Sequence, residues 1–250
     1  MKPAIWAEML KLAGSTVGRV GSIAIVAGIA SLSAAMLLAA ASGDPQLMAK
    51  LGPAATRDWT GFLLAAAQIT SAGGLLGFGV VLSWMFGREF GDGTITGLFA
   101  LPVRRSTIAL AKLVVYGGWA VLMSIALAGA LLLLGVAAGL GLPSGGTWPA
   151  LARQVGLGAM TAAVAAPIAW AATLGRSVLA GVSTAIGLVV IAQVSVLAGA
   201  GGWFPLASPA LWAISSGEAA TPGQLLLVLP YVGAFVLLTA SSWRTMQLDR

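Results

Sequence analysis

The chain has 250 residues, of which 59% are hydrophobic and only 8% charged, with no cysteine, no histidine and a formal net charge of +6. A soluble domain needs about 25% charged residues to clothe its surface, so this chain is expected to face lipid, and its excess of Lys and Arg reflects membrane topology and not nucleic-acid binding. Without Cys or His there is no disulfide framework, thiol nucleophile or His-held metal or haem, and intramembrane proteolysis by a Ser–His pair or a His-bound zinc is excluded.

The pattern of residues 1–19 is not that of a cleaved signal peptide. Ile5, Trp6, Met9, Leu10 and Ala13 recur at helical spacing, while Lys2, Glu8 and Lys11 fall mainly on another face. That amphipathic pattern predicts a helix lying in the membrane interface. A bilayer core of about 30 Å takes roughly 20 apolar residues per helix, and six runs meet that length: about 20–41, 61–86, 113–140, 154–174, 178–199 and 224–243. Residues 42–59 form a polar loop with Pro45 and Pro53. In the second run Gly73, Gly74 and Gly77 offer the small-residue spacing that lets helices approach closely in lipid. Pro167 predicts a kink in the fourth run, and Pro230 a bend near the start of the sixth. Residues 200–223 are apolar but interrupted by Pro205, Pro209 and Pro222. They are expected to form re-entrant outer helices, with Trp203, Phe204 and Trp212 either anchoring the outer surface or gating a path.

With the N-terminus inside, Lys2, Lys11, Arg19, Arg88, Arg104, Arg105, Lys112, Arg176, Arg244 and Arg250 fall on the cytoplasmic side. Lys50, Arg57 and Arg153 fall outside. This bias predicts six transmembrane helices with both termini cytoplasmic. The expected fold class is therefore an all-α integral membrane protein forming one transmembrane domain over 1–250. No run holds an ionisable residue in its interior, which argues against an ion-coupled carrier. Gln68 and Gln193 are the amides deep in the runs; each either bonds between helices or lines a substrate path. The chain has no G-x-x-x-x-G-K-[ST] phosphate loop, so energy from ATP would have to come through another polypeptide.

Between the second and third runs lies the cytoplasmic segment 87–112. Gly91-Asp92-Gly93 breaks the helix. Thr94 can cap a short helix with Ile95, Leu98, Phe99 and Leu101 on it, and Pro102 stops that helix. Arg104 and Arg105 follow, with Ser106 and Thr107 positioned to cap the third run. The stretch EFGDGTITGLFALPVRRSTIALAK, residues 89–112, resembles the permease subunits of ABC transporters of the type-2 exporter class. Six spans, an interfacial N-terminal helix and apolar helices between the last two spans agree with that resemblance more loosely. The resemblance implies a cytoplasmic coupling helix that docks on an ABC-type ATP-binding subunit through Glu89, Phe90, Asp92, Thr94, Leu98, Pro102, Arg104 and Arg105. It further implies two copies of that subunit, carrying ATP and Mg, and a second permease subunit, identical or related. This chain would then bind no cofactor or metal, hold no catalytic residue and not itself be an enzyme. It would export a hydrophobic or amphipathic molecule (an antibiotic, a peptide or a lipid-like compound) across a bacterial plasma membrane. The alternatives are a non-transporting immunity, sensor or assembly protein using the same loop, and an ion-coupled carrier. Ordinary positive-inside charge on a surface helix would account for the arginines of the segment, but not for the acids Glu89 and Asp92.

Overall fold

The structure, a computed structural model, describes residues 1–247; residues 248–250, including the Arg250 assigned above to the cytoplasmic side, lie outside the described residues. Among the described residues all regular structure is helical. Six helical stretches are long and apolar enough to cross a bilayer: Thr16–Ala41, Trp59–Gly91, Arg105–Ala137, Thr147–Leu174, Val178–Leu197 and Pro222–Thr245. We label the helices α1 (Lys2–Gly14), α2 (Thr16–Ala41), α3 (Pro45–Leu51), α4 (Trp59–Gly91), α5 (Ile95–Phe99), α6 (Arg105–Ala137), α7 (Thr147–Val164), α8 (Ala166–Leu174), α9 (Val178–Leu197), α10 (Ser208–Ile214), α11 (Pro222–Leu225) and α12 (Val228–Thr245).

Local chemistry sets several of the helix starts. Ser15 is extended, and its hydroxyl accepts from Gly18 N–H at 2.8 Å. It therefore ends α1 and caps α2, turning the chain between them. Asp58 caps α4 by accepting from Gly61 N–H at 2.8 Å, and Ser177 caps α9 by accepting from Leu179 N–H. Thr221 and Gln224 form a reciprocal capping box at α11. The fourth apolar run breaks at Ala165, two residues before Pro167, which lacks the N–H to continue the ladder. The sixth stretch is interrupted at Leu226–Leu227, just before Pro230, which then sits in the first turn of α12, where a missing N–H costs nothing. Residues 24–28 of α2 and 70–74 of α4 are single π-helical turns.

Small residues set the helix spacing. A Cβ on Gly77 would lie 2.9 Å from Ile25 of α2, and one on Gly79 would lie 2.8 Å from both Ala185 of α9 and Ile168 of α8. Such close approach is how helices gain packing where lipid supplies no hydrophobic drive. Large apolar side chains on the other faces remain uncovered, among them Leu38, Leu133, Leu179, Leu197 and Leu237. A soluble surface does not tolerate that density of exposed leucine; a lipid-facing one requires it.

α1 departs from a simple amphipathic helix. Its apolar residues Trp6, Met9 and Leu10 are exposed, whereas Glu8 is only 4% exposed and faces the bundle. The charged face is the inward one, because a partner for Glu8 waits there. At the same end, Trp243 of α12 is fully buried; its Nε1–H donates to Thr173 Oγ1 at 3.0 Å, and its ring meets Phe86 and Phe99 edge-on. Trp243→Phe keeps the ring contacts and removes the donor. It is expected to cost about 1–2 kcal/mol, measurable as a lower midpoint of thermal unfolding in detergent.

Candidate partner-docking site

One end of the bundle collects α1, the last turns of α4, α5, the start of α6, the α8–α9 turn and the end of α12. Arg105 donates to Met246 O across this end, and Arg176 donates to Gln247 O at 2.8 Å. α4 ends where expected: Asp92 N–H bonds to Arg88 O, and Gly93 takes φ +69°, a left-handed conformation that a side chain resists. α5 then forms one short helix. Ile95 is buried beneath it, and Leu98 and Phe99 are half-buried against the core. Phe99 meets Trp243 edge-on and lies 4.1 Å beneath the Arg105 guanidinium. Val103 N–H bonds to Leu101 O at 2.7 Å, so the chain turns tightly around Pro102. α6 begins at once, at Arg105, well ahead of the apolar run that starts near 113.

The residues singled out for docking fall into three groups. Asp92, Thr94, Pro102 and Arg104 are exposed. Phe90, Leu98 and Arg105 are half-buried and hold α5 to the bundle. Glu89 is buried, at 5% exposed, and its carboxylate points inward. Two residues not singled out complete the outer face: the apolar Leu101, 52% exposed, and Val103. Asp92 pairs with Arg88 at 3.0 Å on the surface, an i,i+4 contact worth about 0.3–0.5 kcal/mol.

Beneath this face lies a closed ring of four charges. Lys112 Nζ is 2.8 Å from Glu8 Oε2 and 3.0 Å from Glu89 Oε1. Lys11 Nζ is 2.8 Å from Glu8 Oε1 and 2.9 Å from Glu89 Oε1. Each charge thus has two opposite neighbours, and the ring joins α1, α4 and α6. Lys112 is 2% exposed, so its ammonium depends on the two carboxylates for solvation. Glu89 Oε2 is buried with no hydrogen-bond partner. Burial acts to lower the pKa of Lys11, but the hydrogen bonds from Glu8 and Glu89 outweigh it and hold it above the ordinary 10.5. A raised folded-state value means that this contribution to stability is complete below pH 10.5 and fades as the pH rises through the folded value. Thermal stability is expected to be flat, as far as this group is concerned, from neutrality to about pH 10 and to fall above it; a melting series against pH checks this.

Sequence patterning missed Glu8 and Lys112 as members of the site. The signal present was a lysine set between apolar helix positions, Ala111 and Leu113, with unmatched acids at the same end of the chain's layout. Of the two amides proposed for a path, Gln68 is half-buried and Gln193 is exposed on α9. The buried amide is Gln154 of α7, 2% exposed, which donates to Thr70 Oγ1 of the π-turn in α4 at 2.6 Å. Trp203 is exposed, while Trp212 is half-buried and lies over Gly156 of α7, where a Cβ would be 3.2 Å from its ring.

A comparison with protein families matches residues 4–193 to a family described as ABC-2 family transporter protein. The match takes in α1 except its first two residues, α5 and all four members of the charge ring. No curated protein matches the sequence.

Proposed function

The chain belongs to the ABC-2 transporter family, whose members are membrane components that associate with an ABC ATP-binding subunit, and from that premise we propose that it is the permease subunit of an ATP-driven exporter in a bacterial plasma membrane. The observation that carries the proposal is the exposed face of α5 and its flanks: Asp92, Thr94, Leu101, Pro102, Val103 and Arg104 form a mixed apolar and charged patch at the end of the bundle richest in Lys and Arg. That bias supports placing this end, with both termini, in the cytoplasm. Two ATP-binding subunits, carrying ATP and Mg, dock there, and two permease chains, identical or related, enclose the path. Hydrolysis belongs to the docked subunits. α1 lies in the interface with Trp6, Met9 and Leu10 in lipid, and the segment 200–223 dips into the outer interface, where Trp203 anchors it.

The charge ring gives the patch its leverage. A push on α5 reaches α4 directly, and through Glu89 it reaches Lys112 of α6 and Lys11 of α1. Glu89 thus acts from behind the contact, while Asp92 stands at it. The exported molecule is hydrophobic or amphipathic, in keeping with spans whose interiors are apolar.

The test is purification of the chain through a tag from its native host in mild detergent, followed by an ATPase assay. An ATP-hydrolysing subunit that accompanies the chain supports the proposal; a chain that emerges alone, or with a protein lacking a nucleotide site, overturns it. The double variant Leu101→Asp with Arg104→Glu is expected to reduce the accompanying subunit by about tenfold or more, equivalent to 1.4 kcal/mol. Both positions are exposed, so its melting temperature is expected to match the parent's. Unreduced recovery would remove this patch from the contact.

A further inference from the structure

At the end of the bundle opposite the docking patch lies a cavity of about 500 Å³ between α4, α7 and α10. Leu63, Leu64 and Ile214 give part of its lining an apolar character. The lining also carries two opposite charges that do not meet, Asp58 and Arg153. Asp58 Oδ1 accepts from Gly61 N–H and from Thr56 Oγ1, both at 2.8 Å. Those bonds, the Gly61 one foremost, hold its carboxyl below the usual range, so it is ionised at any physiological pH. Arg153, on α7, donates to Ser216 Oγ at 3.3 Å, in the turn after α10. Among the described residues no ion pair joins Asp58 to Arg153, although both line the same cavity. Opposite charges on neighbouring helices that face one small space attract each other, and an open pair leaves each free to take a counter-charge from a ligand. Trp59 also lines the cavity, and its Nε1–H is buried without a partner. A buried indole donor left unpaired costs free energy that a ligand acceptor would recover. Gln154, 2% exposed, also lines the cavity, its amide nitrogen tied to Thr70.

We propose that this cavity binds a zwitterionic amphiphile, its anionic group on Arg153, its cationic group on Asp58 and its tail along Leu63, Leu64 and Ile214. The inference rests on the exporter reading only for the cavity's facing outward; the ligand chemistry follows from the cavity itself. A zwitterionic phospholipid and an exported zwitterionic molecule share this chemistry.

The test uses the full purified chain in detergent and four soluble amphiphiles with the same octyl tail. Their heads are phosphocholine, trimethylammonium, sulfate and maltoside, and binding is read by calorimetry. The phosphocholine compound is expected to bind about tenfold tighter than the other three. Arg153→Gln and Asp58→Asn are each expected to erase that preference. Asparagine caps a helix as well as aspartate does, so Asp58→Asn leaves α4 capped, and unchanged circular dichroism would verify it. Equal binding of all four heads, or an undiminished preference in both variants, overturns the proposal. Mass spectrometry of co-purified lipid separates the two sources. A zwitterionic phospholipid retained by the parent and lost from Arg153→Gln identifies lipid as the occupant; equal lipid in both, with the phosphocholine preference intact in the parent, identifies an exported molecule. Failure of the co-purification experiment above would withdraw the exporter reading and leave this binding result standing.

Discussion

Lys112→Ala is expected to destabilise the protein by about 3–5 kcal/mol, the range for removing one partner of a buried ion pair. Glu8 and Glu89 would remain with only Lys11 between them, and Lys11 is the more exposed of the two lysines. Two carboxylates would then crowd a space from which water is largely excluded, and α1 would lose the contact that holds its charged face inward. The expected readouts are a lower melting temperature and faster proteolysis within residues 1–19. A second set of variants separates charge from packing. Lys112→Met fills the volume but leaves the acids unmatched, and is expected to fall nearly as far. Adding Glu8→Gln to Lys112→Met leaves Glu89 paired with Lys11, so no charge of the ring stays uncompensated, and is expected to recover a large part of the loss, since the cost of breaking a buried cluster comes from the charge left unpaired. A Lys112→Ala protein that melts with the parent would show that the ring does not hold these three helices together.

Gly87→Ala is the second large effect. A Cβ at Gly87 would strike the backbone of Ser177 and Val178 at the start of α9. Backbone does not rotate away as a side-chain tip does, so α4 and α9 must separate along their whole shared face, including the Gly181–Ser83 and Gly79–Ala185 contacts. The expected cost is about 3 kcal/mol, the upper part of the range for overpacking. Gly91→Ala is the matched control. It lies one turn further along the same helix, where a Cβ meets nothing, and its expected effect is neutral to slightly stabilising because alanine favours the helix over glycine by up to about 1 kcal/mol. Comparable melting temperatures for the two variants would refute the close approach of α4 to the α8–α9 turn.

The two effects differ in how legible they were. Gly87 stood in a glycine-rich helix, so close packing somewhere along α4 was foreseeable, but its neighbour at Ser177 lies ninety positions away along the chain. The short helix after Gly91-Asp92-Gly93 was legible because glycine and proline act on their own immediate backbone, but the expected Thr94 cap does not form, since Thr94 is itself helical and its hydroxyl accepts no backbone N–H, and the helix ends at Phe99, before Leu101. The acids of the segment were legible as unusual and misplaced in role: Asp92 stands at the surface, while Glu89, three residues and nearly one turn earlier, points to the interior.

The amino-acid sequence alone determined that this chain is helical, lipid-facing and built of six apolar stretches, because backbone hydrogen bonding and hydropathy are local and additive along the chain. Turn positions followed for the same reason, whereas the caps did not: Thr94, Ser106 and Thr107 cap nothing, and Ser15, Asp58, Ser177 and Thr221 do. Tertiary structure alone decided which faces meet protein and which meet lipid, since in this chain both kinds of face are equally rich in Leu, Val and Ala. It also decided that Glu8, Lys11, Glu89 and Lys112 converge into one ring, and that Asp58 and Arg153 share a cavity without pairing. Charges find partners through space, and the distance between two charges in a folded bundle is set by how helices cross and not by their separation in sequence.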